Sequence, residues 1–170
     1  NSDQELMPKL VQEFPELKKV GEHPRYGLIH RLDKDTSGIL LIAKNDDALS
    51  FFQKQFKQRK VKKKYTALVY GKITAKSGEI KTLISRDEIK QKAFPLHGPK
   101  RADSRIAETS WNVIKRYKEY TLIEASPKTG RKHQIRVHLA YLGFPVAGDK
   151  LYSFKNQKSP KGLQRQFLHA

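Results

Sequence analysis

The sequence predicts an α+β domain, and three observations predict it. Apolar segments with strand character and segments with helical period follow one another irregularly, in the order strand, helix, strand, further strands, helix. Two strand candidates, Ile106–Arg116 and Tyr120–Ser126, are joined only through Tyr117–Glu119, a connection short enough to require antiparallel pairing. No glycine-rich phosphate loop opens a helix, so a doubly wound nucleotide-binding sheet has no support. The 170 residues suit one domain with a sizeable core.

Residues 1–29 mix charges with scattered apolar side chains and carry Pro8, Pro15 and Pro24, which argue against long regular structure. A short helix around Glu5–Phe14 is the exception. Ser37 to Ala43 is nearly all apolar around Ile39-Leu40-Leu41-Ile42 and reads as a buried strand. Asn45-Asp46-Asp47 then supplies an N-cap and first-turn acids, and Leu49, Phe52 and Phe56 give the following helix one apolar face. Val61 to Tyr70 alternates as a strand with Tyr65, Ala67 and Val69 on one face, and Gly71 ends it. Glu79–Ile84 is a short strand, and Ser85 to Arg105, charged and carrying Pro95, Gly98 and Pro99, reads as a long basic loop. Beyond the antiparallel pair, Thr129-Gly130 turns into a helix over Arg131–Leu142 with the stripe Ile135, Leu139 and Leu142. Gly143 follows as its C′ residue, with Pro145 beyond. The polar tail from Gly148 to Ala170 is anchored by Phe154, Leu163, Phe167 and Leu168.

Charge narrows the partner. Lysine and arginine number 35 against 17 acids, a net charge of +18, spread from Lys9 to Arg165 rather than gathered in a tail. Such a surplus favours a polyanion, because each neutralised phosphate releases counterions. The absence of cysteine excludes disulfides, thiolate zinc sites and a cysteine nucleophile. No apolar run approaches the roughly 20 residues of a membrane span, and the polar stretch Asn1 to Lys9 lacks a signal-peptide core. The expected compartment is the cytoplasm.

Three clusters carry chemistry. In His30-Arg31-Leu32-Asp33-Lys34-Asp35-Thr36-Ser37-Gly38, charged groups sit on a polar turn against an apolar strand, where they are costly to hold without a purpose. Asp33 is the first candidate acid, and Asp35 the second. Either could equally be an ordinary turn residue. Arg31 can stack on bases or fork onto phosphate. His30 is given no proton-transfer role, since a structural hydrogen bond is its commoner use. The second cluster places Lys62, Lys63 and Lys64 as a positive rim before Tyr65, a flat ring suited to stacking on a flipped base, although a core tyrosine is the more common outcome. The third, from Thr129 to Leu139, gathers Arg131, Lys132, His133, Arg136 and His138 at the start of a helix. Arg136 follows the core-facing Ile135 and so requires a buried partner, for which Asp33 is the obvious acid. His133 and His138 lie five apart with no nearby acidic ligand, which argues against a metal.

All three clusters resemble the motifs of the RluA-like pseudouridine synthases. His30 to Lys44 is similar to the family's HRLD-xx-TSG-xLLxAK, Lys63 to Gly71 to its K-x-Y-x-A-x-V-x-G strand, and Thr129 to Pro145 to its TGR-x-HQIR-x-HLA segment. Gly148 to Tyr152 resembles GDxxY, and Gln166 to Ala170 resembles QxLHA. The resemblance covers about Gly27 to Ala170, which implies a lead-in segment over residues 1–26 and a catalytic domain over 27–170. It further implies a mixed, mostly antiparallel central sheet flanked by helices. No Lys-Pro strand precedes His30 and the chain stops at Ala170, so the domain looks trimmed at both ends. By the same resemblance Asp33 is the catalytic aspartate, acting on ribose as base or nucleophile. Tyr65 stacks on the target base, Arg136 pairs with Asp33, and Arg31 enters the RNA stack. His30, Lys62, Lys63, Lys64, Arg131, Lys132 and His133 are the remaining expected RNA contacts.

The implied reaction isomerises uridine in ribosomal or transfer RNA with no cofactor and no metal, in a monomer. The alternative is a catalytically inactive RNA-binding module. A base-releasing glycosidase is weaker, since Asp33 and Asp35 would point to the same side of an extended segment and could not flank one bond.

Overall fold

A computed structural model describes residues 2–87, 90–98, 101–155, 157 and 159–170. Contacts divide the chain into two units, Asn1–Val61 and Lys62–Ala170.

In the first unit, α1 (Ser2–Glu13) is followed by a 3-10 turn over Pro15–Lys19 that buries Leu17. The core of the unit is Val20, Ala43 and Leu49, with Ile29 and Ala48 packed on it. Gly27 joins these pieces. Its N–H donates to Val20 O at 2.8 Å, and its own carbonyl accepts from Ala43 N–H at 2.8 Å. With φ +65 and the Ala43 carbonyl where a Cβ would stand, no other residue fits there without strain. The helix expected after Asn45 is α2 (Asp46–Lys57), capped by the Asn45 side chain, which accepts from Ala48 N–H. Asp46 also accepts from Gly21 N–H at 2.8 Å and so ties the helix start to the core.

The apolar run before α2 is not a buried strand. It is extended and holds isolated bridges, Leu28 to Ile42 and another at Ser37, in place of a ladder, and Ile39 is 69% exposed. Gly38 at φ +131 interrupts pairing, and the Leu41 N–H is taken by the His30 ring rather than a strand carbonyl. Nor are Asp33 and Asp35 on an extended segment. Thr36 N–H closes a turn on Asp33 O at 3.0 Å, with Asp35 in the left-handed region at φ 66. Strand alternation therefore does not govern where these two acids point.

The second unit is built on a six-stranded sheet. Its strands are β1 (Tyr65–Tyr70), β2 (Ser77–Asp87), β3 (Lys90–Phe94), β4 (Arg105–Arg116), β5 (Tyr120–Pro127) and β6 (Leu168–His169). The order is β3-β2-β4-β5-β1-β6, and among the described residues every ladder is antiparallel. With the three α-helices among the described residues this is an α+β architecture.

β1 and the β4–β5 hairpin fall where the alternation puts them. The expected loop over Ser85–Arg105 does not: β2 runs on to Asp87 and pairs with β3 from Leu83↔Phe94 to Asp87↔Lys90. The lysines of β3 alternate with the half-buried Gln91 and the buried Ala93, a charge pattern that suits an edge strand. Among the described residues of this stretch the connection after Phe94 is irregular; Glu88, Ile89, Pro99 and Lys100 lie outside the described residues.

α3 (Gln134–Tyr141) begins three residues later than expected, because residues 129–133 form a tight turn that ends on His133 at φ 56. It ends as expected, with Gly143 at φ +87. Ile135 and Leu139 pack with Ala67, Val69, Trp111, Ile123, Ala125, Val146 and Leu168 in the main core. Leu142 is 36% exposed and does not complete the stripe. In the tail Leu168 is the buried anchor, while Phe154 and Phe167 are exposed. β6 turns Leu168 inward, and strand alternation turns Phe167 outward.

Candidate active site

The first unit presents the aspartate. Asp33 is half-buried at the first position of the turn closed by Thr36, while Arg31 beside it is exposed. Both ends of the loop are pinned. The His30 ring stacks on Phe56 at 4.9 Å, and its Nε2 accepts from Leu41 N–H at 3.1 Å. An accepting Nε2 is an unprotonated nitrogen, so in this bond the ring serves as a brace for the loop.

The second unit brings the tyrosine cluster and the basic helix cluster together. Tyr65 is half-buried and packs on the main core, on the same sheet face as Ile135 and Leu139 of α3. Lys63 donates from Nζ to Thr129 O at 3.1 Å and links the two clusters directly. Lys64 pairs with Glu124 at 3.1 Å, and Lys62 is exposed. Of the three lysines expected as a rim, two are thus oriented by protein acceptors.

Around the start of α3 the polar groups form one network. Gln134 Oε1 accepts from the Thr129 hydroxyl at 2.6 Å and from Arg131 N–H at 2.9 Å, and its Nε2 donates to Glu108 O and Thr109 Oγ1 at 2.9 Å each. Arg131 also gives Nε to Ile106 O at 3.0 Å. His133 Nδ1 bonds the Tyr152 hydroxyl at 2.8 Å, and Lys132 is exposed. His138 is fully buried between Thr109 Oγ1 at 2.8 Å and Thr82 Oγ1 at 3.0 Å, and burial pushes its pKa down to about 4.

Arg136 is buried, as its place after Ile135 predicts, and it has the buried carboxylate it requires in Asp149. Nε donates to Oδ2 at 2.7 Å and Nη2 to Oδ1 at 2.9 Å, a bidentate pair. Asp149 Oδ1 accepts two further bonds, from Leu151 N–H at 2.9 Å and Tyr152 N–H at 3.1 Å. The Tyr152 ring lies 5.1 Å from the Arg136 guanidinium carbon. Sequence reasoning missed Asp149, along with Gln134 and Thr109. The available signal was the Gly148-Asp149 pair inside a recognised motif, where a lone acid beside a glycine turn is a natural partner for a buried arginine. Among the described residues no three His, Cys, Asp or Glu side chains could hold one metal ion, and no helix is long and apolar enough to cross a membrane.

Comparison with known proteins adds the lineage. The family model described as RNA pseudouridylate synthase matches residues 9–141. A protein of Aquifex aeolicus named as an uncharacterized RNA pseudouridine synthase is 41% identical over 160 residues, covering 93% of this chain and 49% of that one. The ribosomal large subunit pseudouridine synthase D of Borreliella burgdorferi is 42% identical over 131 residues, covering 77% of this chain and 39% of its own length. The chain thus spans about half the length, or less, of these curated relatives. Among solved structures, human RNA pseudouridylate synthase domain containing 1 superposes with a TM-score of 0.74 at 30% identity, over 84% of this chain and 60% of that one. A family match running from α1 through the aspartate turn and the tyrosine strand to the last residue of α3 shows that the chain belongs to the RNA pseudouridylate synthase family.

Proposed function

We propose that this protein is an RNA pseudouridine synthase that isomerises particular uridines in structured RNA, with residues 27–170 as the catalytic region. Large-subunit ribosomal RNA is the first substrate to test, because relatives of this chain carry that name. The target nucleotide leaves the stack, and Arg31 fills the space it vacates. Asp33 acts on the ribose as base or nucleophile while the C1′–N1 bond breaks. The uracil turns, C5 bonds to C1′, and the proton lost from C5 is balanced by the one gained at N1. No atom or electron is exchanged with a second reactant. Tyr65 stacks on the base and takes part in moving the C5 proton. Arg136 pairs with Asp33 and orients it, since a guanidinium has donors enough for a second acceptor beyond Asp149. His30, Lys62 to Lys64, Arg131, Lys132 and His133 contact the RNA around this centre.

The observation that carries the reading is Asp33 itself, a half-buried carboxylate on a braced turn in a chain of this family. Asp33→Asn keeps the side chain's shape and removes its charge. Pseudouridine formed in ribosomal and transfer RNA should fall by about 10³-fold or more, while RNA affinity stays within about twofold, as expected for a residue outside the phosphate contacts. Undiminished product from the variant would overturn the assignment. RNA binding by a wild-type chain that forms no pseudouridine would favour the inactive RNA-binding module instead.

A further inference from the structure

The sheet carries a row of tyrosines that the catalytic reading does not use. Tyr120 is the register partner of Tyr70, at the end of β1 opposite Tyr65. Tyr117 N–H donates to Tyr120 O at 2.8 Å, closing β4 on β5 around Lys118 and Glu119. Cross-strand partners share a face, so Tyr120 and Tyr70 stand side by side on β5 and β1, and Tyr117, just past the end of β4 and bonded to Tyr120, continues the row. That face is opposite the one on which Val69 and Ile123 meet α3. The Tyr70 and Tyr120 rings lie 5.1 Å apart, and Tyr117 is 43% exposed with Lys115 Nζ 5.4 Å from its centroid.

The surroundings are cationic. Lys115 stands over Tyr117, and Lys72, Lys76 and Lys118 lie in the segments that adjoin the row, against the single acid Glu119 there. The turn is also rigid. Gly71 N–H donates to Glu119 O at 2.8 Å, and Arg116 is anchored on the carbonyls of Ile73, Thr74 and Ala75 at 2.8 to 3.0 Å. Aromatic rings on neighbouring strands are spaced by the sheet at about 4.8 Å, which lets successive unpaired bases stack while nearby cations take their phosphates.

We infer that the Tyr117–Tyr120–Tyr70 row is a second RNA-contact surface, which takes a single-stranded segment of the substrate by base stacking at the end of β1 away from Tyr65. It rests on RNA being the partner of the catalytic site and extends that reading to a segment outside the target nucleotide.

The test compares two fluorescent probes of about twelve units, within the range of known single-strand site sizes: an oligouridylate and an abasic ribose-phosphate oligomer of equal charge. Tyr117→Ala should weaken oligouridylate binding about tenfold, the scale of one lost stacking contact, and leave the abasic oligomer unchanged. Tyr117→Phe, which keeps the ring, should restore binding. An unchanged affinity in Tyr117→Ala, or an equal loss on both probes, would overturn the inference. Pseudouridine formation measured in parallel on structured RNA separates the two readings. A flat binding result with normal product removes the tyrosine surface alone, and absence of product from the wild type removes the isomerase alone.

Discussion

Asp149 is the residue whose loss should most damage the second unit. Four N–H groups converge on a carboxylate whose side chain is 0% exposed, and the arginine it neutralises is 7% exposed. Asp149→Ala takes the bidentate carboxylate away from a guanidinium that stays buried. Breaking a buried pair from one side costs about 3–5 kcal/mol, against a total stability of roughly 5–15 kcal/mol. Two backbone donors, Leu151 and Tyr152, lose their acceptor at the same time. With a urea slope of about 2 kcal/mol/M, a loss of about 4 kcal/mol lowers the midpoint by about 2 M. Urea titration followed by circular dichroism measures this directly. The double variant Arg136→Met, Asp149→Leu exchanges the pair for apolar groups of similar size and should recover part of the loss. A single-variant cost below about 1 kcal/mol would refute the reasoning, as would a double variant no more stable than the single.

Two further perturbations test the fold. His138 has its pKa at about 4 against an ordinary 6.5, so the folded ring stays neutral while the unfolded chain takes up a proton. Stability is therefore full above pH 6.5 and falls toward pH 4, by about 2 kcal/mol at pH 5 from this residue. Unfolding at neutral and mildly acidic pH checks this, and His138→Gln should flatten the difference; an identical pH dependence in the variant contradicts the assignment. Asn45→Ala should cost about 1 kcal/mol through the lost cap on Ala48 N–H, and Asn45→Asp almost nothing. Equal midpoints for all three proteins would mean that the cap is not made in solution.

Local rules read best where they act alone. α2 was legible because its cap, its first-turn acids and the spacing of its apolar residues all point the same way. The β4–β5 hairpin was legible because its turn leaves no other pairing. β3 was hidden because an edge strand carries the same lysines as a loop, and only the alternation of Gln91 and Ala93 separates them. The run around Ile39 misled for the opposite reason. Apolar composition suggested burial, but a positive-φ glycine and the His30 ring deny it a ladder. At the candidate site, the need of Arg136 for a buried acid was legible and the identity of Asp149 was not. That partner depends on how the chain returns after α3, through Gly148, where a Cβ would meet the Arg165 carbonyl.

The helix that carries Arg136 shows why a period alone cannot decide an element. Gln134-Ile135-Arg136-Val137-His138-Leu139 alternates polar and apolar residues with the period of a strand, yet it is helical and all six residues are buried. A helix wound from that pattern has no polar face to give to water, so each polar side chain must find its own acceptor or donor inside. Gln134 has Glu108 O and Thr109, Arg136 has Asp149, and His138 has Thr109 and Thr82. Sliding or rotating α3 by one residue would break all three sets together, at about 1–3 kcal/mol for each buried group left unsatisfied. Apolar packing through Ile135 and Leu139 would tolerate small shifts, whereas directional bonds do not. The polar residues therefore fix the register of the helix, and that register holds the Arg136 guanidinium in one place within its unit.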